Sequence, residues 1–178
     1  MKSALARVAL LGAVAVTAPA VGKPINGFAV AIGHYATSDT YPTPTSTAGP
    51  VLLNVVGTVN GDPYDPFVLS PGLKGVSPYI AIEAGGSVTF SFPTPMRKLQ
   101  ILWGSVDSTN IITFYDAAGK QVGALTGQGI QQAYNINAGA RQKYGYEASV
   151  RIISPTKFSK IVLTTGISCF EFSNVFAE

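Results

Sequence analysis

The chain has 178 residues, with twelve Lys and Arg against nine Asp and Glu and a formal net charge of +3 at pH 7. Two of the basic residues, Lys2 and Arg7, lie in the first twenty, so residues 21–178 carry a net charge of only +1. No cluster of Lys and Arg remains that could neutralise a row of phosphates, which argues against nucleic acid as a partner. With one His and one Cys, the chain also lacks the clusters that transition-metal sites use.

Residues 1–20 are predicted to be a cleavable secretory signal peptide. A positively charged start precedes an apolar run at residues 8–16, and Ala18-Pro19-Ala20 supplies the small residues that signal peptidase reads. The apolar run is shorter than the roughly 20 residues that span a membrane. We therefore expect a secreted or periplasmic protein that begins at Val21 and has no membrane span after cleavage.

Residues 21–178 are predicted to form one all-β domain, an antiparallel β-sandwich of jelly-roll type. Short runs rich in β-branched and aromatic residues alternate with Gly, Pro, Asn and Asp, which is typical of sandwiches and barrels, and no long helical period is visible. A weaker strand is expected at residues 28–32. The nine main predicted strands are residues 51–59, 79–83, 87–92, 98–103, 111–115, 121–126, 149–153, 160–164 and 168–176.

Three segments between these runs are predicted to be connections. Residues 35–50 are rich in Thr, Ser and Pro and are expected to form a long exposed loop. Residues 62–72 are rich in turn-forming residues. Residues 128–146 are polar and are expected to wrap an edge or end of the sandwich. Pro93 is expected to end the strand that precedes it.

The last predicted strand indicates how the core is arranged. Phe170 and Phe172 alternate with Cys169 and Glu171, so phenylalanines that face the core place Glu171 outward or toward the edge. Cys169, the only cysteine, is interpreted as a small buried hydrophobe, with an intermolecular disulfide as the alternative.

The sequence does not exclude a site built from carboxylates. A glycoside hydrolase needs only two carboxylates across a cleft, and a structural calcium takes carboxylate and carbonyl oxygens. Asp62, Asp65 and Asp116, however, lie in turns, where aspartate commonly accepts hydrogen bonds from nearby backbone amides. No other cofactor is expected, and His34 is expected at the surface.

The most distinctive segment follows the only tryptophan. Trp103 ends an apolar strand, and a polar turn with Asp107, Ser108 and Asn110 comes next. In one interpretation Trp103 closes the end of the core and the polar residues tie the turn. In the other, Trp103 is an aromatic platform for a sugar ring and Asp107, Ser108 and Asn110 bind its hydroxyls. A sugar site among the loops that contain Tyr134, Tyr144 and Tyr146 is a further alternative.

The same segment resembles exosortase-dependent surface proteins, the PEP-CTERM-type exported proteins of Gram-negative bacteria. The likeness covers residues 102–116 (LWGSVDSTNIITFYD), 125–130 (LTGQGI), 158–165 (FSKIVLTT) and 170–175 (FEFSNV). It implies an exported β-sandwich similar to carbohydrate-binding modules, and it implies no reaction. The family's C-terminal sorting signal, a Pro-Glu-Pro motif with an apolar span and a basic end, is missing here, which favours a soluble protein over an anchored one.

These observations predict an exported, non-catalytic binding, surface or extracellular-matrix protein, with a polysaccharide or cell-surface glycan as its expected ligand. Two alternatives remain. The first is a structural surface protein that self-associates through exposed sheet edges. The second is the carboxylate-based glycoside hydrolase.

Overall fold

The computed structural model describes residues 22–33, 38–58, 65–68, 70, 72–136, 148–167 and 169–178, and the predicted signal peptide lies outside them. Within these residues the chain forms ten strands and one helix. The strands are β1 (Lys23–Ile25), β2 (Phe28–Gly33), β3 (Ser46–Ala48), β4 (Val51–Val55), β5 (Tyr79–Ile82), β6 (Ser87–Trp103), β7 (Ile111–Tyr115), β8 (Gln121–Thr126), β9 (Ala148–Thr164) and β10 (Phe170–Ala177), and the helix is α1 (Gly127–Tyr134).

All the strand pairs are antiparallel, and they form two layers that share two long strands. The large layer has the order β1-β2-β9-β6-β10-β5-β4. The small layer consists of β3, the beginning of β6, the end of β9, β7 and β8. The predicted all-β antiparallel fold is confirmed, while the finer jelly-roll assignment stays a prediction.

Strands β6 and β9 pass from one layer to the other. Each was predicted as two strands, and the break predicted at Pro93 is instead a bend within β6. The pairing of β6 with β9 shifts register between Ser91 and Met96 and again before Lys98. Because regular pairing is interrupted at this bend, the missing N–H of Pro93 removes no ladder hydrogen bond, and one strand can serve both layers.

Aromatic side chains join the two layers in a common core. Phe28 of the large layer lies 4.8 Å from Phe114 of the small layer, measured between ring centroids. Phe90 and Phe172 make a second contact of this kind at 6.1 Å. Phe170 and Phe172 face this core, as their alternation predicted, and Cys169 is buried.

Three short elements were not predicted, and the first of them is strand β1 (Lys23–Ile25). Strand β3 lies within the predicted loop of residues 35–50, and all of α1 except its first residue lies within the predicted polar connection of residues 128–146. Thr126 caps this helix by accepting a hydrogen bond from the Gly129 amide at 3.1 Å, and Asn135 ends it in the left-handed conformation. None of the three elements has a long hydrophobic period, so the sequence pattern alone does not reveal them. In the part of the chain that the structure describes, no helix is long and apolar enough to cross a membrane.

Candidate functional site

Trp103 lies inside the core. Its side chain is 0% exposed, and its ring stacks on Phe170 with the centroids 4.6 Å apart. A platform for a sugar must present its ring to solvent, so the sequence-based interpretation of Trp103 as that platform does not fit this position. The alternative, in which Trp103 closes the end of the core, does.

The turn after Trp103 is held by its own hydrogen bonds. Asn110 is fully buried, and its amide nitrogen donates to the Ser105 carbonyl at 3.1 Å. Asp107 is half-buried and its carbonyl accepts from the Asn110 backbone amide at 3.1 Å, whereas Ser108 is exposed. The turn therefore does not gather these predicted ligand groups around an exposed ring.

Tyr134, one of the three tyrosines of the alternative sugar site predicted from the sequence, also has a structural role. Its hydroxyl donates to the Val30 carbonyl, and the Lys23 ammonium lies 4.8 Å from its ring centroid. These contacts fix α1 against β1 and β2. Tyr144 and Tyr146 lie outside the described residues.

The outer face of the large layer, which points away from the core, is covered at one end. The covering segment is residues 65–68, which lie directly against Gly104. A Cβ atom added to Gly104 would come within 2.6 Å of the Pro66 Cβ. We call this region the covered end. Its buried hydrophobic residues are Phe67, Tyr79, Ala81 and Leu102.

Two carboxyl groups are buried at the covered end. Asp65 and Glu171 are both 1% exposed. The Asp65 carboxylate accepts hydrogen bonds from the backbone amides of Phe67 at 2.8 Å and Gly75 at 2.7 Å, as expected for a turn aspartate. Glu171 accepts a hydrogen bond from the Ser105 hydroxyl. Glu171 points away from the core as predicted, and it is buried there because the covering segment lies over it.

Tyr79 completes this buried polar group. Burial, together with the negative charges of Glu171 and Asp65, raises the pKa of its hydroxyl well above the ordinary value of 10.0. The hydroxyl donates to the Gly57 carbonyl at 2.8 Å. Tyr79 is therefore a neutral hydrogen-bond donor that holds the covered end together.

The other end of the same face is an open groove of about 320 Å³. Strand pairing places Phe176, Gln100 and Arg151 directly opposite one another on β10, β6 and β9. A second row lies two residues before Gln100 on β6 and places Lys98 opposite Ile153. We call this region the open groove. The side chains that form it are Lys98, Gln100, Arg151, Ile153, Phe176 and Glu178.

Phe176 reaches the groove because of a bulge in β10. Phe172 points into the core, and regular alternation would point Phe176 the same way. Asn174 adopts a positive φ of 53°, and the register shifts between Ser173 and Phe176. The extra residue turns Phe176 outward, where its side chain is 61% exposed.

The bulge is tied to another part of the chain. The Asn174 side chain accepts from the Thr40 amide at 2.7 Å and donates to the Ser38 carbonyl at 2.9 Å. The Asn174 amide also donates to the Thr40 carbonyl at 3.1 Å. These hydrogen bonds hold the backbone in the conformation that presents Phe176.

The charges of the groove are unequally paired. The Lys98 ammonium lies 2.8 Å from a Glu178 carboxylate oxygen. Hydrogen bonding to Lys98 and its charge lower the pKa of Glu178, and the more distant charge of Arg151 adds to this effect. Lys98 and Glu178 thus balance each other at neutral pH, and Arg151 is the remaining cation.

The groove does not have the geometry of a glycoside hydrolase, which faces two carboxyls across a cleft. Glu178 is the single carboxylate among its lining residues, while Asp65 and Glu171 are buried elsewhere. Asp62 and Glu147 lie outside the described residues. Within the described ranges, no three His, Cys, Asp or Glu residues are grouped so that they could hold a metal ion.

Self-association would use an edge strand such as β4, which exposes Leu52 and Leu53. This edge is irregular. Asn54 has a positive φ of 55°, and its amide donates to the Tyr41 hydroxyl at 2.9 Å. Bulges and occupied amides are features by which native sheets hinder pairing with another chain.

Sequence reasoning missed the open groove, although part of its signal was visible. Alternation within residues 98–103 and 149–153 already separates Gln100 and Arg151 from their buried neighbours. That alternation shows that each faces away from the core, but it does not show that they are cross-strand neighbours. Exposure of Phe176 contradicts simple alternation and becomes visible only with the bulge.

Comparison with known proteins adds no relative: no family model matches the chain, and no match is found among curated proteins or solved structures.

Proposed function

We propose that this protein is an exported, non-catalytic binding protein of the jelly-roll type and that its open groove binds a polysaccharide or cell-surface glycan. The observation that supports this proposal is the row of Phe176, Gln100 and Arg151, in which an exposed aromatic ring lies beside two hydrogen-bonding side chains on one sheet face.

The chemistry of a sugar ring fits this row. A pyranose has an apolar face of C–H groups and a rim of hydroxyls, so its binding sites combine an aromatic surface with a few convergent polar groups. Phe176 provides the aromatic surface. Gln100 can both donate and accept, and Arg151 donates only.

The size and construction of the groove fit as well. A volume of about 320 Å³ lies at the lower end of the usual range for small-ligand sites, roughly 300–1,000 Å³, which suits a short stretch of glycan. The side chains stand on paired strands rather than on a long loop, so little backbone ordering opposes binding.

A glycan array probed with the purified protein and with Phe176→Ala tests the proposal. We expect the parent protein to bind a set of glycans on the array. The Phe176→Ala variant should bind the same glycans at least about tenfold more weakly, which is a loss of about 1.4 kcal/mol or more of binding free energy. Ile167→Ala is the matched control, because Ile167 is 79% exposed and is not a lining residue of the groove.

Two results would contradict the proposal. One is that the parent protein binds no glycan. The other is that Phe176→Ala and Ile167→Ala bind the same glycans as tightly as the parent, since a bound sugar would then not contact Phe176.

A further inference from the structure

We propose that the ligand of the open groove is an acidic glycan of the uronic-acid class and that Arg151 binds its carboxylate. This inference rests on the proposed function and narrows it. Its starting point is the unequal charge of the groove, in which one cation is paired and the other is not.

The paired cation is Lys98, which Glu178 neutralises at 2.8 Å. In the part of the chain that the structure describes, no carboxylate lies within ion-pair distance of Arg151. Arg151 is exposed, and its guanidinium group is a cation that only donates hydrogen bonds. The groove therefore presents one cation, Arg151, that has no ion-pair partner among the described residues.

The position of Arg151 is suited to a sugar carboxylate. Gln100 lies between Arg151 and Phe176 in the row, so the backbones of those two residues are two strand spacings apart, about 10 Å. A sugar ring that packs on Phe176 can extend over Gln100 toward Arg151. The planar guanidinium then offers two parallel N–H donors to the two oxygens of a carboxylate.

The neighbouring strand leaves the guanidinium accessible. The residue opposite Arg151 on β2 is Ala31, and Ile153 in the next row lies opposite Ala29. These small side chains do not cover the cation. The groove is thus open on the side toward which a glycan chain would continue.

The test compares glycans that differ only in charge. An array would contain polyuronate oligosaccharides, the same oligosaccharides after methyl esterification or carboxyl reduction, and neutral and sulfated glycans. We expect the carboxylated forms to bind at least tenfold more tightly than their neutral counterparts. This preference should weaken as salt is raised from 50 to 500 mM, because an exposed charge is screened.

Arg151→Gln should remove the preference for carboxylates while leaving residual binding through Phe176, and Arg151→Lys should restore only part of it because the fork is lost. Lys120→Gln, which removes one positive charge from the loop between β7 and β8, is the matched control and should leave the preference unchanged.

The outcomes separate this inference from the proposed function. Equal binding of neutral and carboxylated forms, a preference for sulfated over carboxylated glycans, or an Arg151→Gln variant that keeps the preference would overturn the inference alone. Binding to no glycan at all would overturn both the inference and the proposed function.

Discussion

The covered end and the open groove lie side by side on the same sheet face and share strands β6 and β10. Leu102 and Gln100 stand two residues apart on β6 and point to the same side, yet Leu102 is 2% exposed and Gln100 is only half-buried. This difference in exposure comes from residues 65–68, which cover one end of the face and leave the other end open to solvent. Strand alternation decides which side a residue faces, and a distant segment decides whether that side is solvent or core.

The inner core behind both ends should give the largest effect. Trp103→Ala removes a fully buried ring that stacks on Phe170, so we expect the free energy of unfolding to fall by about 3–5 kcal/mol. Denaturant unfolding measures it. An unchanged midpoint would place the ring at the surface and revive the interpretation of Trp103 as a sugar platform.

Two phenylalanines on the outer face compare the ends directly. Phe67 is 0% exposed at the covered end and Phe176 is 61% exposed in the groove. Phe67→Ala should cost about 3–5 kcal/mol of unfolding free energy, whereas Phe176→Ala should stay within about 0.5 kcal/mol of the parent. Similar losses in the two variants would show that the two ends are equally buried.

The buried carboxylate of Asp65 at the covered end should contribute more to the free energy of unfolding than an exposed carboxylate with the same hydrogen-bond pattern. Asp65 and Asp116 each accept two backbone amide hydrogen bonds, Asp65 at a buried position and Asp116 in the loop between β7 and β8. Asp65→Ala should cost about 1–3 kcal/mol, because its amides lose their partner away from water. Asp116→Ala should cost less, since water replaces the carboxylate. Equal costs by thermal or denaturant unfolding would argue against burial of Asp65.

Tyr79 gives the covered end a dependence on alkaline pH. Its pKa is raised in the folded protein, so above pH 10 the unfolded chain loses a proton that the folded chain keeps. The free energy of unfolding should therefore fall as the pH rises beyond about 10. Tyr79→Phe should lose about 1 kcal/mol at neutral pH with its hydrogen bond and show a shallower decline in alkali. An identical decline in both proteins would assign it to other groups.

The sequence predicted the direction of individual side chains on this face better than it predicted which side chains lie next to each other across strands. Most strands and the inward direction of Phe170 and Phe172 follow from alternation, which is a property of neighbouring residues. The pairing of Gln100 with Arg151 joins residues about fifty positions apart, and no local pattern specifies it. The exposure of Phe176 depends on Asn174, whose positive φ is supported by hydrogen bonds to Ser38 and Thr40.

The central claim is that glycan binds at the open groove and at no part of the covered end. The most direct measurement is an NMR titration of the protein with a glycan that it binds on the array, following the backbone amide and arginine side-chain signals. We expect the largest chemical-shift changes at Gln100, Phe176 and the Arg151 side chain, with little change at Phe67 and Leu102. Changes centred on residues 103–110, on Tyr134 or on the covered end would contradict the account.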